Sequence, residues 1–308
     1  MSTGRTGASL NRTLTNYAFG LAQDKASALA EFIAPTVPTG VSIGQYKKFN
    51  RKNAFAVYET ARALGGPATR IKFEASDPTF NCKPQALEIA LDDAERDASG
   101  DADPLGMEQA KVETLVINSV TSHEDKVMAA IAAGATAVAG KGNWTSSSND
   151  PVAEMDAQIK AIIIATGMMP NRMVMGIGAW EIARNHPSVV ARQPGSPLIG
   201  LTTSQFAAML LNPGIEIKLG ILSKDTAKWG NTKNNANIVG DNVYIFHGSQ
   251  APTLYDPSFA KTFMVKQGGA TAVHEYRANE ARSDIYALDW SEDVEVVSTS
   301  CVKRLTIT

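Results

Sequence analysis

The glycine and lysine run GATAVAGKG at 134–142 is a first place where this chain could do chemistry, because a glycine loop ending in lysine can cradle phosphates. The spacing fails. Five residues separate Gly134 from Gly140-Lys141 where four are needed, and Gly142 stands where serine or threonine would hold magnesium. Gly176-Ile177-Gly178 follows an apolar run and opens a helical one, in the manner of a dinucleotide fingerprint, but the third glycine is missing and Trp180 would crowd a pyrophosphate. The histidines, His123, His186, His247 and His274, show no metal-ligand spacing; His186, followed by Pro187, reads as a helix end where an imidazole suits the dipole. Cys82 and Cys301 form no CxxC pair, which argues against a zinc site or a disulfide framework and for a reducing compartment. Asp92-Asp93, and Asp289 with Glu292-Asp293, are of acid and base type, yet nothing in the sequence brings a nucleophile beside them. No catalytic, cofactor-binding or metal-binding residue is expected.

The elements that would carry such residues must therefore be read for another purpose. At 308 residues the chain can bury a sizeable core in one large domain or two modest ones, and 44% hydrophobic with 19% charged residues is ordinary for a globular protein. A formal net charge of −2 gives no global positive field for phosphate backbones. Neither a signal-peptide run at the N-terminus nor an apolar segment of bilayer length is present, so a soluble cytoplasmic product with no membrane partner is expected.

Small and polar residues up to about 40, with two prolines in APTVPTG, predict an extended arm with one short helix around AQDKASALAEFIA. Residues 45–76 predict the two ribbons of a long hairpin broken at Gly65-Gly66-Pro67, too thin to hold a core of its own. Asp103-Pro104 starts a helix running to Gly134, with Val112, Val116, Val120, Val127 and Ile131 as its buried stripe; two shorter helices broken near Thr121-Ser122 are the alternative. Asp150-Pro151 starts a second helix, and TSQFAAMLLNPG a short one. A strand-rich end then includes IEIKLGIL, NVYIFHGS, HEYRANEARSDIYALDW and VEVVSTSCVKRLTIT, and the mixed order gives an α+β fold or a mixed sheet. In the opening strand of PNRMVMGIGAW, Met173, Val174, Met175 and Ile177 are expected in the core, with Gly176 and Gly178 allowing close backbone approach.

Charge is segregated. Between 45 and 72 lie Lys47, Lys48, Arg51, Lys52, Arg62, Arg70 and Lys72 against the single acid Glu59; between 88 and 103 lie Glu88, Asp92, Asp93, Glu95, Asp97, Asp101 and Asp103 against Arg96 alone. The two segments could pair within the molecule, pair between copies, or remain separate solvated faces.

The order of motifs resembles the major capsid proteins of tailed double-stranded DNA bacteriophages: a Trp144 loop before Asp150-Pro151; Pro170-Asn171, Gly176 and Trp180 leading to His186-Pro187; then Asp256-Pro257-Ser258-Phe259 with Thr262-Phe263. The resemblance spans nearly the whole chain. It implies the tailed-phage capsid fold: an N-terminal arm (1–40), an extended loop (41–86), a peripheral domain with a spine helix (87–150), an axial domain (151–269) and strands returning to the peripheral domain (270–308). It further implies a structural virion protein, not an enzyme, assembled as hexamers and pentamers into an icosahedral shell around double-stranded DNA, with portal, scaffolding or decoration proteins as further partners. An encapsulin-like nanocompartment shell is the alternative. Lys47, Lys48, Arg51, Lys52, Arg70 and Lys72 facing Asp92, Asp93, Glu95 and Asp97 are the expected assembly contacts.

Overall fold

Pro104 opens a single 31-residue helix that ends at Gly134, unbroken at Thr121-Ser122. It is the spine of the molecule. At about 1.5 Å per residue it spans about 46 Å, and the predicted stripe is its packed face, with Val112, Val116, Val127 and Ile131 fully buried and Val120 partly so. In this computed structural model the described residues exclude 1–8, 26–28, 47, 50–56, 58–59, 63, 67, 69, 71–74, 100–103, 193–199, 229, 250–252, 254–257 and 266–271, together with some side chains next to these gaps.

Two main sheets flank the spine. The six-stranded sheet is built on the long strand Ser283–Val296, which pairs antiparallel with Lys83–Asp92, Val273–Ala278 and Ala260–Val265; Thr36–Thr39 then adds in parallel to Ala260–Val265. The four-stranded sheet runs Val302–Thr306, Asn242–Phe246, Arg172–Gly176, Glu216–Gly220, with only the last pair parallel. Its central strands are apolar at consecutive positions because both faces are covered. Met173, Met175, Val243 and Ile245 face the helices Pro151–Thr166 and Ile177–Asn185, whereas Val174, Tyr244 and Phe246 face the short helix Leu29–Ile33 and the end of the spine.

Three expectations are corrected. The short helix expected within 22–34 is found as Leu29–Ile33, but the segment before it is not an extended arm: Arg12–Lys25 is helical, lays Leu14 and Ala18 on the spine, and follows a strand, Ser9–Leu10, paired with Val273–Ala278. The spine offers this face a partner, and tertiary packing of that kind is what makes a short segment helical. Ile177 is not a core strand residue but the first residue of a helix, 47% exposed. The closing strands divide: Val302–Thr306 pairs with Asn242–Phe246 of the four-stranded sheet, while Ala260–Val265, expected in the axial part, belongs to the six-stranded sheet. Strand periodicity reports which residues are buried and says nothing of which sheet receives them.

The hairpin is present at its base. Ile43–Gln45 pairs with Thr79–Asn81 and Lys48–Phe49 with Ala75–Ser76, and Gly65 has the positive φ of 81° that a turn at the far end requires. Val57 and Leu64 are fully exposed. Among the described residues no helix is long and apolar enough to cross a membrane.

Candidate assembly surfaces

The base of the hairpin is fastened by aromatic packing. Phe80 stacks on Phe263 with centroids 4.4 Å apart, and Tyr46 lies 5.3 Å from the same ring. Val37, Cys82 and Val297 complete this small cluster. Burial, and then the nearby Glu295, push the Tyr46 phenol well above its usual range, and burial with Asp293 does the same to the Cys82 thiol. Of the expected basic contacts only Arg70 has a described side chain, and it is exposed. Lys47, Arg51, Lys52, Lys72 and the side chain of Lys48 lie outside the described residues.

The acidic segment follows Lys83–Asp92 as the short helix Asp93–Ser99, and part of its charge is already occupied within the molecule. Arg277 donates to both oxygens of Asp93 and, at 3.1 Å, to Asp284, holding the Asp93 carboxyl below the usual carboxylate range. Arg96 bridges Asp284 at 2.7 Å and Glu108 at 3.3 Å, and Lys111 pairs with Glu95 at 2.7 Å. Asp92 accepts the N–H of Ala94 and is exposed, as is Asp97. Exposed pairs of this kind contribute little to stability, because solvent screens them. Glu95 is exposed but paired, so Asp92 and Asp97 are the two of the four without an ion pair among the described residues.

A buried charge cluster joins the spine to the long strand, and the sequence reading did not find it. Glu292, 2% exposed, accepts from Lys126 Nζ at 3.0 Å and lies 2.7 Å from His123 Nδ1. Burial opposes its ionisation, but His123 and Lys126 outweigh that and hold the carboxyl at about 2. Glu124 is also 2% exposed, and burial pushes its carboxyl up to about 7 with only partial relief from His123. A signal for it exists: Glu124 falls between Val120 and Val127 on the apolar stripe. Because the folded-state value lies above the usual 4.5, stability is intact below pH 4.5 and declines as pH rises to about 7. Glu124→Gln should therefore gain about 3 kcal/mol over wild type at pH 8 and nothing at pH 4, read from urea denaturation at both values.

The glycine turn near Trp180 is scaffolding. A Cβ on Gly176 would lie 1.6 Å from the carbonyl oxygen of Gly240, and one on Gly178 would lie 2.1 Å from Asp241 Oδ1, leaving no room for a nucleotide phosphate. His186 ends the helix Ile177–Asn185, as expected; it is 4% exposed, and its Nδ1 accepts the N–H of Ser188, so the imidazole caps the next helix, Pro187–Val190. The Trp144 loop is held by one buried carboxylate: Glu154 Oε2 accepts both the Trp144 indole N–H and the Gly142 N–H at 2.9 Å. Asp150 caps the helix Pro151–Thr166 through the N–H of Val152 and pairs with Arg192. Among the described residues no group of three His, Cys, Asp or Glu side chains is placed to hold a metal ion.

No protein-family model matches the chain. A major capsid protein of Burkholderia phage BcepMu is 28% identical over 273 residues, covering 82% of each chain. A major capsid protein of Pseudomonas phage JBD67 is 23% identical over 184 residues, 58% of each. Among solved structures, a phage-related protein from Bordetella bronchiseptica RB50 superposes with a TM-score of 0.73 at 22% identity over 96% of both chains. The capsid of Myoviridae phage XM1 gives 0.56 at 9% identity over 92% of both. A holo-SrpI encapsulin complex from Synechococcus elongatus PCC 7942 gives 0.52 at 9% identity, covering 90% of this chain and 86% of that one.

Proposed function

We propose that this chain, which has the tailed-phage capsid fold and is similar in sequence to curated phage major capsid proteins, is the major capsid subunit of a phage head. The observation that carries the reading is the 82% mutual coverage with a major capsid protein, at an identity well above that of the structural matches that share only the fold. Copies of the chain build a shell of hexamers and pentamers around double-stranded DNA, and its role there is structural, without a catalytic step. An encapsulin-like compartment shares the fold, but the sequence similarity is to phage proteins.

The physical support lies in the hairpin. Its base is fastened, but Val57 and Leu64 are left fully in water, and a two-stranded ribbon is marginally stable alone. A repeated head-to-tail contact buries such a ribbon on a neighbouring copy and, when the rotation closes, makes a ring. The basic residues Lys47, Lys48, Arg51, Lys52, Arg70 and Lys72 then meet the neighbour's Asp92 and Asp97, with Asp93 and Glu95 already engaged by Arg277 and Lys111.

Replacing Lys47, Lys48, Arg51 and Lys52 together by glutamate should abolish closed shells in negative-stain images while far-UV circular dichroism stays that of the wild type. Normal particle yield would refute the docking. Particles recovered from the native source should enclose double-stranded DNA; an enzyme cargo without DNA would select the compartment instead.

A further inference from the structure

The long strand Ser283–Val296 changes neighbours at Glu292. Up to that residue one edge is paired with Lys83–Asp92, the register ending with Lys83 opposite Glu292. The other edge pairs with Ala260–Val265, which places Met264 opposite Glu292 and Phe263 opposite Asp293. Past Glu292 the first edge passes to the base of the hairpin. Only Cys82 separates Lys83–Asp92 from Thr79–Asn81, and the N–H of Asn81 donates to Asp293 Oδ2 at 2.7 Å.

Successive strand residues point to opposite faces. Glu292 therefore serves the spine, through His123 and Lys126, while Asp293 and Glu295 serve the hairpin, Glu295 accepting the Tyr46 O–H at 3.4 Å. The aromatic cluster follows the same division, since Phe263 lies opposite Asp293 and carries both Phe80 and Tyr46. Cys82 ties the crossing point down: its N–H donates to the Ser42 carbonyl at 2.8 Å and its thiol to the Phe263 carbonyl at 3.4 Å.

We propose that Glu292–Glu295 is a joint that couples the hairpin to the spine helix, so that loosening the anchor on one face of the strand loosens the other. The residues on the two faces share one backbone, and a close-packed interior passes small shifts on to its neighbours. A hairpin pulled onto a partner surface would thus be felt by the spine at His123–Lys126, some forty residues away in the chain from Cys82. The coupling is a property of the single chain. It stands whether or not the shell reading does.

Hydrogen exchange on the full chain tests it, comparing wild type with Asp293→Ala, Tyr46→Phe and His123→Gln. Asp293→Ala should accelerate exchange of the spine amides 120–128 by about tenfold together with 79–82, while Pro151–Thr166 exchanges at the wild-type rate. His123→Gln should do the reverse, opening 43–46 and 79–82. Spine exchange within about twofold of wild type in Asp293→Ala would overturn the joint, as would an equal acceleration in Pro151–Thr166, which reports general destabilisation. If Asp293→Ala fails to fold by circular dichroism, Tyr46→Phe, which removes one hydroxyl and keeps the ring, decides by the same amides.

Discussion

Gly176→Ala is expected to destabilise the protein by about 4 kcal/mol or more, enough to take it out of the soluble fraction. The reason is space and not backbone conformation, since Gly176 has an ordinary extended φ of −66° and ψ of 151°. Its added methyl would sit 1.6 Å from the Gly240 oxygen and 2.8 Å from the Gly240 carbonyl carbon. Backbone cannot swing away as a side chain can. The turn carrying Gly240 is itself fixed: Gly240 has a φ of +63° and donates its N–H to Asn237 Oδ1 at 3.1 Å, and Asn242 Nδ2 donates to the Val239 carbonyl at 2.9 Å. Gly176 also stands opposite Gly220 in the parallel pair, so separating the turn from the strand opens the middle of the four-stranded sheet. Gly40→Ala is the control, because its Cβ meets nothing within 4 Å, and it should change stability by less than about 0.5 kcal/mol. Soluble yield and urea midpoint measure both.

The second large effect belongs to Glu292. Glu292→Gln keeps the shape, removes the charge, and leaves His123 and Lys126 facing an amide; breaking a buried pair costs about 3–5 kcal/mol, and the 37% exposure of the Lys126 side chain places this one near the lower end, about 3 kcal/mol at pH 7. The pH dependence has a definite sign. The folded carboxyl is held at about 2 against an ordinary 4.5, so the stabilisation is complete above pH 4.5 and is lost as pH falls towards 2. Wild-type stability should thus fall across that window, while the contribution of this site should be flat in Glu292→Gln. Equal acid slopes for the two proteins would contradict the assignment. Glu124 acts in the opposite direction one residue from His123, and the two carboxylates together place the spine's best pH between their windows.

Local rules carried much of the fold. Asp150-Pro151 is a helix start by chemistry alone, and the cap is seen, with Asp150 accepting from Val152. The valine stripe of the spine and the apolar strands Arg172–Gly176 and Asn242–Phe246 were equally legible, because periodicity reports burial directly. Placement among sheets was not. Val302–Thr306 and Ser283–Val296 read alike as strands, and only long-range pairing sends one to each sheet. The N-terminal segment is helical and not extended for a related reason: Leu14 and Ala18 become a helix face because the spine offers them a partner. In the acidic segment the sequence gives a net sign, but Arg277 lies far along the chain, and its pairing with Asp93 and Asp284 follows from Val273–Ala278 lying beside the long strand. Glu124 was visible as a carboxylate on an apolar stripe, whereas Glu292 needed the tertiary contact to acquire meaning.

Sedimentation velocity of the purified wild-type chain, across protein concentration and salt, bears most directly on the shell. A boundary of large closed particles, in exchange with small capsomer-sized species and with little monomer at high concentration, is expected. A single compact monomer at every concentration and salt would contradict it.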